Sequence, residues 1–251
     1  MALRSCAALL VAALWLVPSG AAAQPDPGPG IMALRTMLKD RSAEIRIRAA
    51  EGLGRVGGAQ SVVILRQGLR DKETGVRTAA VAALGYIGGS LAMTVLAEAL
   101  KDANPEVRIR AVEALRDAGT VNSIPIIQKA FEDQEESVRL RAALMLRQIG
   151  HRRTVTPLGR AATTDKSPAV RAAAAEYLGR VGVKQPRAVK TLEQLLDDPE
   201  PVVRLRAVES LGCLQLRAAI PVLQRALGDR DPAVRVRATE VLGHALARDF
   251  E

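Results

Sequence analysis

Apolar residues along this chain recur every three or four positions and rarely alternate singly with polar ones, a pattern that predicts helices throughout and no strand worth naming. The stretch "DANPEVRIRAVEALRDAG" (102–119) is representative. Asn104 is cap-competent, Pro105 suits a first helical turn, and Val107, Ala111, Ala114, Leu115 and Ala118 fall on one stripe. Two residues do not fit a lone amphipathic helix. Asp102 stands six residues ahead of Arg108, outside the helix, and Arg108 lies right beside the apolar stripe.

The same arrangement returns along the chain. "IRIRAAEGLGRVG" starts at Ile45, "VRTAAVAALGYIG" at Val76, "VRIRAVEALRDAG" at Val107 and "VRLRAALMLRQIG" at Val138. "VRAAAAEYLGRVG" follows from Val170, "VRLRAVESLGCLQ" from Val203 and "VRVRATEVLGHAL" from Val234. The leading arginines are Arg46, Arg77, Arg108, Arg139, Arg171, Arg204 and Arg235, spaced 31, 31, 31, 32, 33 and 31 residues apart. Six residues before each stands an aspartate: Asp40, Asp71, Asp102, Asp133, Asp165, Asp198 and Asp229. Seven matches at one offset define an array of seven units.

Each unit predicts two helices. The first precedes the aspartate, as in "IPVLQRALGD" (220–229), and Pro125, Pro157 and Pro221 occupy an equivalent place in its first turn. A turn follows, with Ser42, Asn104, Ser167 or Asp231 four residues before the arginine and Pro105, Pro168, Pro201 or Pro232 next to it. The second helix then runs, in most units, to a Leu-Gly-x-apolar-Gly ending, whose last glycine is a natural stop. The predicted fold is all-α, an α-solenoid (superhelix) of seven stacked helix pairs over residues 30–251.

The pattern of apolar helix, Asp, turn and Pro-x-Val-Arg-x-x-Ala-x-x-x-Leu-Gly resembles HEAT repeats, and more narrowly the short variety of about 31 residues found in phycobilin lyase subunits, over residues 30–248. That resemblance implies that the aspartates and arginines form a hydrogen-bonded ladder running between stacked units. The chemistry suits this: a carboxylate accepts turn N–H groups, and a guanidinium forks to carboxylate and carbonyls at a crowded seam. A unit this short cannot bury its own stripe and must stack on neighbours. Seven pairs spaced ~8–10 Å per helix would make a curved rod ~70 Å long, and the resemblance implies that the second helices line its concave, binding side. The family spans scaffolds, adaptors and a few enzymes, so the motif specifies fold far better than activity.

The N-terminal end reads differently. Arg4, the apolar run "CAALLVAALWLV" (6–17) and Ala21-x-Ala23 before Gln24 match a secretory signal peptide over residues 1–23. Twelve apolar residues fall short of the ~20 a spanning helix needs. "QPDPGPG" (24–30) then reads as an extended Pro/Gly-rich leader. Cleavage after Ala23 would leave 228 residues, no tryptophan, one cysteine (Cys213), and 35 basic against 27 acidic residues, a charge of +8. A single cysteine closes no internal disulfide, so packing must hold an exported, periplasmic or extracellular chain together.

Chemistry is sparse. His151 and His244 lie too far apart in the array to share a metal. There is no His-Glu dipeptide, which is the metal-ligand signature of the hydroxylase branch of HEAT-like proteins, nor a phosphate loop or Gly-x-Ser-x-Gly. The expectation is a non-enzyme without cofactor or metal. Nucleic acid is disfavoured too, because aspartates match the seven ladder arginines and few aromatics are present to stack on bases. "HRRT" (151–154) and Lys184/Arg187 suit, at most, weak attraction to anionic envelope surfaces.

Counted from the ladder arginine, offsets +2, +5 and +9 should share an exposed stripe. Four units carry Arg/Glu at +2 and +5: Arg48/Glu51, Arg110/Glu113, Arg206/Glu209 and Arg237/Glu240. Unit two departs with Ala79, Ala82 and Tyr86, and unit four with Leu144 and Gln148 beside Arg141. Tyr86 and Leu144, flanked by Arg110 and Arg141, are therefore the candidate protein-binding residues, and Cys213 at +9 should be exposed. In unit five Gly159 and Thr163 replace leucines of the first helix, so a weak interface and a bend are expected around 150–166. The expected function is an exported protein-interaction scaffold or adaptor. The alternatives are a lyase- or other enzyme-associated HEAT protein, or a basic binder of envelope glycan or lipid.

Overall fold

The computed structural model describes residues 28–214 and 216–247. The expected signal peptide (1–23) and residues 24–27 of the expected leader lie outside the described residues. Among the described residues, fourteen α-helices and no strand are present. They pair as α1 (Pro29–Met37) with α2 (Ala43–Val56), α3 (Gly58–Gly68) with α4 (Thr74–Ile87), and α5 (Gly89–Ala99) with α6 (Pro105–Gly119). Then come α7 (Ile124–Ile127) with α8 (Glu136–Ile149) and α9 (Val155–Thr164) with α10 (Pro168–Val181). Last are α11 (Pro186–Gln194) with α12 (Pro201–Cys213) and α13 (Ala219–Ala226) with α14 (Pro232–Ala247).

The fold corrects the leader. Helix α1 already begins at Pro29, so Pro29 and Gly30 are helical rather than extended. Proline tolerates this first-turn place because the N–H it lacks would have no partner there.

Burial repeats column by column. Three residues after each ladder arginine stands an alanine with no exposed surface, from Ala49 and Ala80 through Ala238. Four residues further on, Leu53, Leu84, Leu115, Leu146 and Leu178 are fully buried. Each such leucine contributes roughly 1.5–3 kcal/mol, and the small alanines let the neighbouring helix come close. Second helices of successive units pack against one another more closely than first helices do, which puts the second-helix layer on the inner side of the array.

Turn chemistry follows the same register. The carboxylate Oδ1 of every ladder aspartate accepts the N–H two residues on, from Ser42 at 2.8 Å through Asp231 at 2.8 Å. Asn104, Ser167 and Asp231 also cap their helices through side-chain oxygens, whereas Ser42 makes no side-chain cap bond. At the far end, Gly57, Gly88 and Gly150 take φ of 72°, 68° and 64° and return their N–H groups to Leu53, Leu84 and Leu146.

Irregularity is present at 150–166, where a 3₁₀ turn at Arg152–Thr154 opens unit five, and is greater in unit four. Helix α9 of unit five is regular over ten residues, and Gly159 is buried where a β-carbon would lie 3.3 Å from the Thr191 side chain. In unit four the first helix shrinks to four residues between 3₁₀ turns at Thr120–Ser123 and Gln128–Glu132.

Candidate protein-binding face

The ladder aspartate and the arginine of its own unit meet, but not carboxylate to guanidinium. Arg108 Nη1 donates to the backbone carbonyls of Asp102 (2.9 Å) and Ala103 (3.2 Å). Its Nε and Nη2 reach Asp133 of the next unit, at 2.6 and 2.8 Å. The same fork joins Arg46 to Asp71, Arg77 to Asp102, Arg139 to Asp165, Arg171 to Asp198 and Arg204 to Asp229. Each arginine thus pins the turn of its own unit and grips the following one. The two ends differ: among the described residues, the Asp40 carboxylate binds only the Ser42 N–H and Arg235 only the carbonyls of Asp229 and Arg230.

These pairs are largely sequestered, the Arg139 and Asp165 side chains being 3% and 4% exposed. At Asp133 burial pushes the carboxyl up, but the Arg108 fork, the Glu135 N–H and the nearby guanidinium of Arg139 more than cancel this and hold it below its ordinary 3.8. The same balance lowers Asp71, Asp198 and Asp229. On Arg108, Arg171 and Arg204 the aspartate hydrogen bond outweighs burial and raises the guanidinium further.

The exposed stripe of the second helices carries a second, shallower network. Glu113 bridges two candidates, accepting from Arg110 of its own helix at 3.1 Å and from Arg141 of α8 at 2.8 Å. Glu209 repeats the bridge between Arg206 (2.7 Å) and Arg237 (3.1 Å). The other two candidates part company. Leu144 is half-buried and packs on the core, while Tyr86 is 79% exposed and projects from α4. Cys213 is exposed.

Sequence reasoning missed what replaces glycine at offset +8. Gly54, Gly85 and Gly179 face Ala83, Ala114 and Ser210, and a β-carbon on any of them would approach within 2.6–2.9 Å. Units three and four put Arg116 and Arg147 there instead. Arg116 donates to Gln148 at 2.5 Å, and the Arg147 guanidinium lies 5.1 Å from the Tyr177 ring centre. Their signal was the break in the Leu-Gly ending itself. No group of three or more His, Cys, Asp or Glu residues among the described ones is placed to hold a metal, and no helix there is long and apolar enough to cross a membrane.

The family profile for HEAT repeats matches residues 31–116, 123–212 and 189–247. The chain belongs to the HEAT-repeat family. A narrower profile, the PBS lyase HEAT-like repeat, matches 107–133 of this HEAT protein. Among solved structures it is similar to human deoxyhypusine hydroxylase in complex with glycerol, with 24% identity over 87% of this chain and 86% of that one and a TM-score of 0.43. It is also similar to the CpcE–CpcF complex of phycocyanin lyase from Nostoc sp. PCC7120, with 18% identity over 89% and 97% and a TM-score of 0.46. An engineered protein shares 20% identity over 87% and 68%, with a TM-score of 0.48. A search of curated protein sequences finds no match.

Proposed function

We propose that this HEAT solenoid is an exported scaffold or adaptor that binds protein through the exposed face of its second helices, with no catalytic step of its own. Tyr86 carries the reading. It stands 79% exposed on α4, within a stretch (78–97) that holds no charged residue, and α4 packs beside the helix bearing the Arg110–Glu113–Arg141 bridge. A rigid amphipathic ring exposed on a preformed helical face, one helix away from those arginines, is the kind of group protein interfaces use as an anchor. Export rests on Arg4, the apolar run 6–17 and Ala21-x-Ala23, and is checked by N-terminal sequencing of secreted protein.

A photo-crosslinking amino acid at position 86 should capture one dominant partner in the native envelope. The same probe at Val63, 51% exposed on the first helix α3, should not. Equal capture from both positions would end this reading. The PBS lyase HEAT-like match favours one second reading, a subunit associated with a chromophore-attaching enzyme. Stoichiometric uptake of an open-chain tetrapyrrole, seen as visible absorbance, would favour it over the scaffold.

A further inference from the structure

Where unit five meets unit six, the loops that open their first helices border an open notch of about 350 Å³. Arg152, Arg153 and Thr156 line it from one unit, and Lys184, Gln185 and Arg187 from the next. All four cations are exposed, and none has a carboxylate partner among the described residues. No acidic residue occurs anywhere in 137–164 or in 177–192. Unlike the ladder arginines, this charge is uncompensated.

Three further observations separate the notch from a solvated basic surface. At the three earlier unit boundaries the equivalent segments are uncharged, "GGAQ" (57–60), "GGSL" (88–91) and "GTVN" (119–122), and the later one carries a single arginine, Arg217, so the repeat itself does not require two charges on each side of a boundary. Next, Lys184 stands at φ 60°, fourteen residues ahead of the next unit's aspartate Asp198, the offset at which Gly57 and Gly88 precede Asp71 and Asp102 with φ of 72° and 68°. A lysine is strained in this left-handed region and glycine is not. The N–H of Lys184 is tied to the Leu214 carbonyl at 3.2 Å, so the strained conformation is fixed. Finally, Arg187 Nη1 donates to Thr156 Oγ1 at 3.1 Å, which holds that guanidinium across the unit boundary before any ligand arrives. Helices α9 and α11 both begin at the notch without an acidic residue in their first turns, adding positive helix ends of the same sign.

We infer that this notch binds a phosphate group, the compact multiply charged oxyanion that two or three convergent guanidinium and ammonium donors recognise. Its volume is at the small end of ligand sites, about 300–1,000 Å³, enough for a single phosphate group and the small molecule or headgroup that carries it. The group can be carried by a soluble phosphate or by a phosphomonoester lipid headgroup, and the experiment separates these sources.

The test uses the mature chain. Inorganic phosphate and pyrophosphate are titrated by calorimetry, and flotation is measured with phosphatidylcholine vesicles with and without phosphatidic acid. Lys184→Gly removes one donor and relieves the left-handed strain, so its melting temperature should hold or rise while affinity falls roughly tenfold, as for loss of one charge-assisted hydrogen bond. The double variant Arg35→Gln/Lys39→Gln removes exposed charge at the other end of the array and should change nothing. Binding of the soluble anions lost in Lys184→Gly supports a soluble ligand. Binding only to phosphatidic acid vesicles, also lost in Lys184→Gly, supports a headgroup. No binding of either kind, unchanged binding by Lys184→Gly, or equal weakening by the charge-matched control would overturn the inference.

Discussion

Replacing Arg139 by alanine is the sharpest probe of the ladder. The guanidinium makes four hydrogen bonds: to Asp165 at 2.9 and 3.2 Å, and to the carbonyls of Asp133 and Gln134 at 3.0 Å each. Its loss would leave the Asp165 carboxylate, 4% exposed, with only the Ser167 N–H at 2.9 Å. Removing one partner of a buried pair costs roughly 3–5 kcal/mol, mostly the penalty of the stranded charge. In a solenoid that cost falls on the interface of units four and five. For a chain this long, about 2–4 °C per kcal/mol gives a melting temperature lower by roughly 6–20 °C. The control is Arg235→Ala at the same place in unit seven, where the arginine is exposed and holds only two carbonyls; it should cost under ~1 kcal/mol. Thermal and urea unfolding by circular dichroism measure both. Arg139→Met with Asp165→Leu, which strands no charge, should recover most of the loss. If Arg139→Ala costs no more than Arg235→Ala, the ladder is not what holds successive units together.

Two more outcomes follow from the same geometry. Gly85→Ala would bring a β-carbon to 2.8 Å from the Ala114 β-carbon and 3.0 Å from its Cα, so overpacking should outweigh the helical gain, at a net cost of about 1–2 kcal/mol. Gly243→Ala, in the same column of α14 with nothing within 4 Å, should instead stabilise by about 0.5–1 kcal/mol, and urea midpoints that moved the same way would contradict the seat argument. Because Asp71, Asp133, Asp198 and Asp229 titrate below 3.8 when folded, the unfolded chain binds more protons over that interval. Their contribution is complete above the unfolded value and lost as pH falls through the folded ones, so stability should drop only below about pH 4; a loss centred between pH 5 and 7 would refute this.

The repeat, the helix pairing and the paired columns were legible because each depends on one residue type at a fixed offset. Ala49 and its equivalents are buried for the same reason that Leu53 and its equivalents are, and both recur. Which carboxylate each guanidinium reaches was not legible from the six-residue offset, since Arg108 spans that gap to a carbonyl and crosses to Asp133 for its charge. The notch was half legible: its two basic clusters stood out in the sequence, but not that they share one site. Its two basic clusters lie far apart in sequence, and only stacking places Arg152 and Arg153 against Lys184 and Arg187. The candidate face was half legible. Tyr86 projects as the helical period implies, but Leu144 leans into the core and Glu113 occupies the space between Arg110 and Arg141.

Glycine at offset +8 connects packing to surface chemistry. Where it is present, as at Gly54, Gly85 and Gly179, the next second helix closes until side chains touch the bare backbone, and nothing projects from that seat. Arg116 and Arg147 cannot close in this way. They turn outward to Gln148 and onto the Tyr177 ring, in the two units beside the Glu113 bridge. The centre of the array therefore carries guanidinium groups at a seat that glycine fills in the other units. A substitution that restored glycine at 116 and 147 would not merely delete two charges. It would let α8 and α10 approach their neighbours and remove the guanidinium contact over Tyr177, while leaving Tyr86 on α4 untouched. Loss of partner capture from position 86 in that variant would show that the interface extends across the central units, and unaltered capture would confine it to α4 and α6.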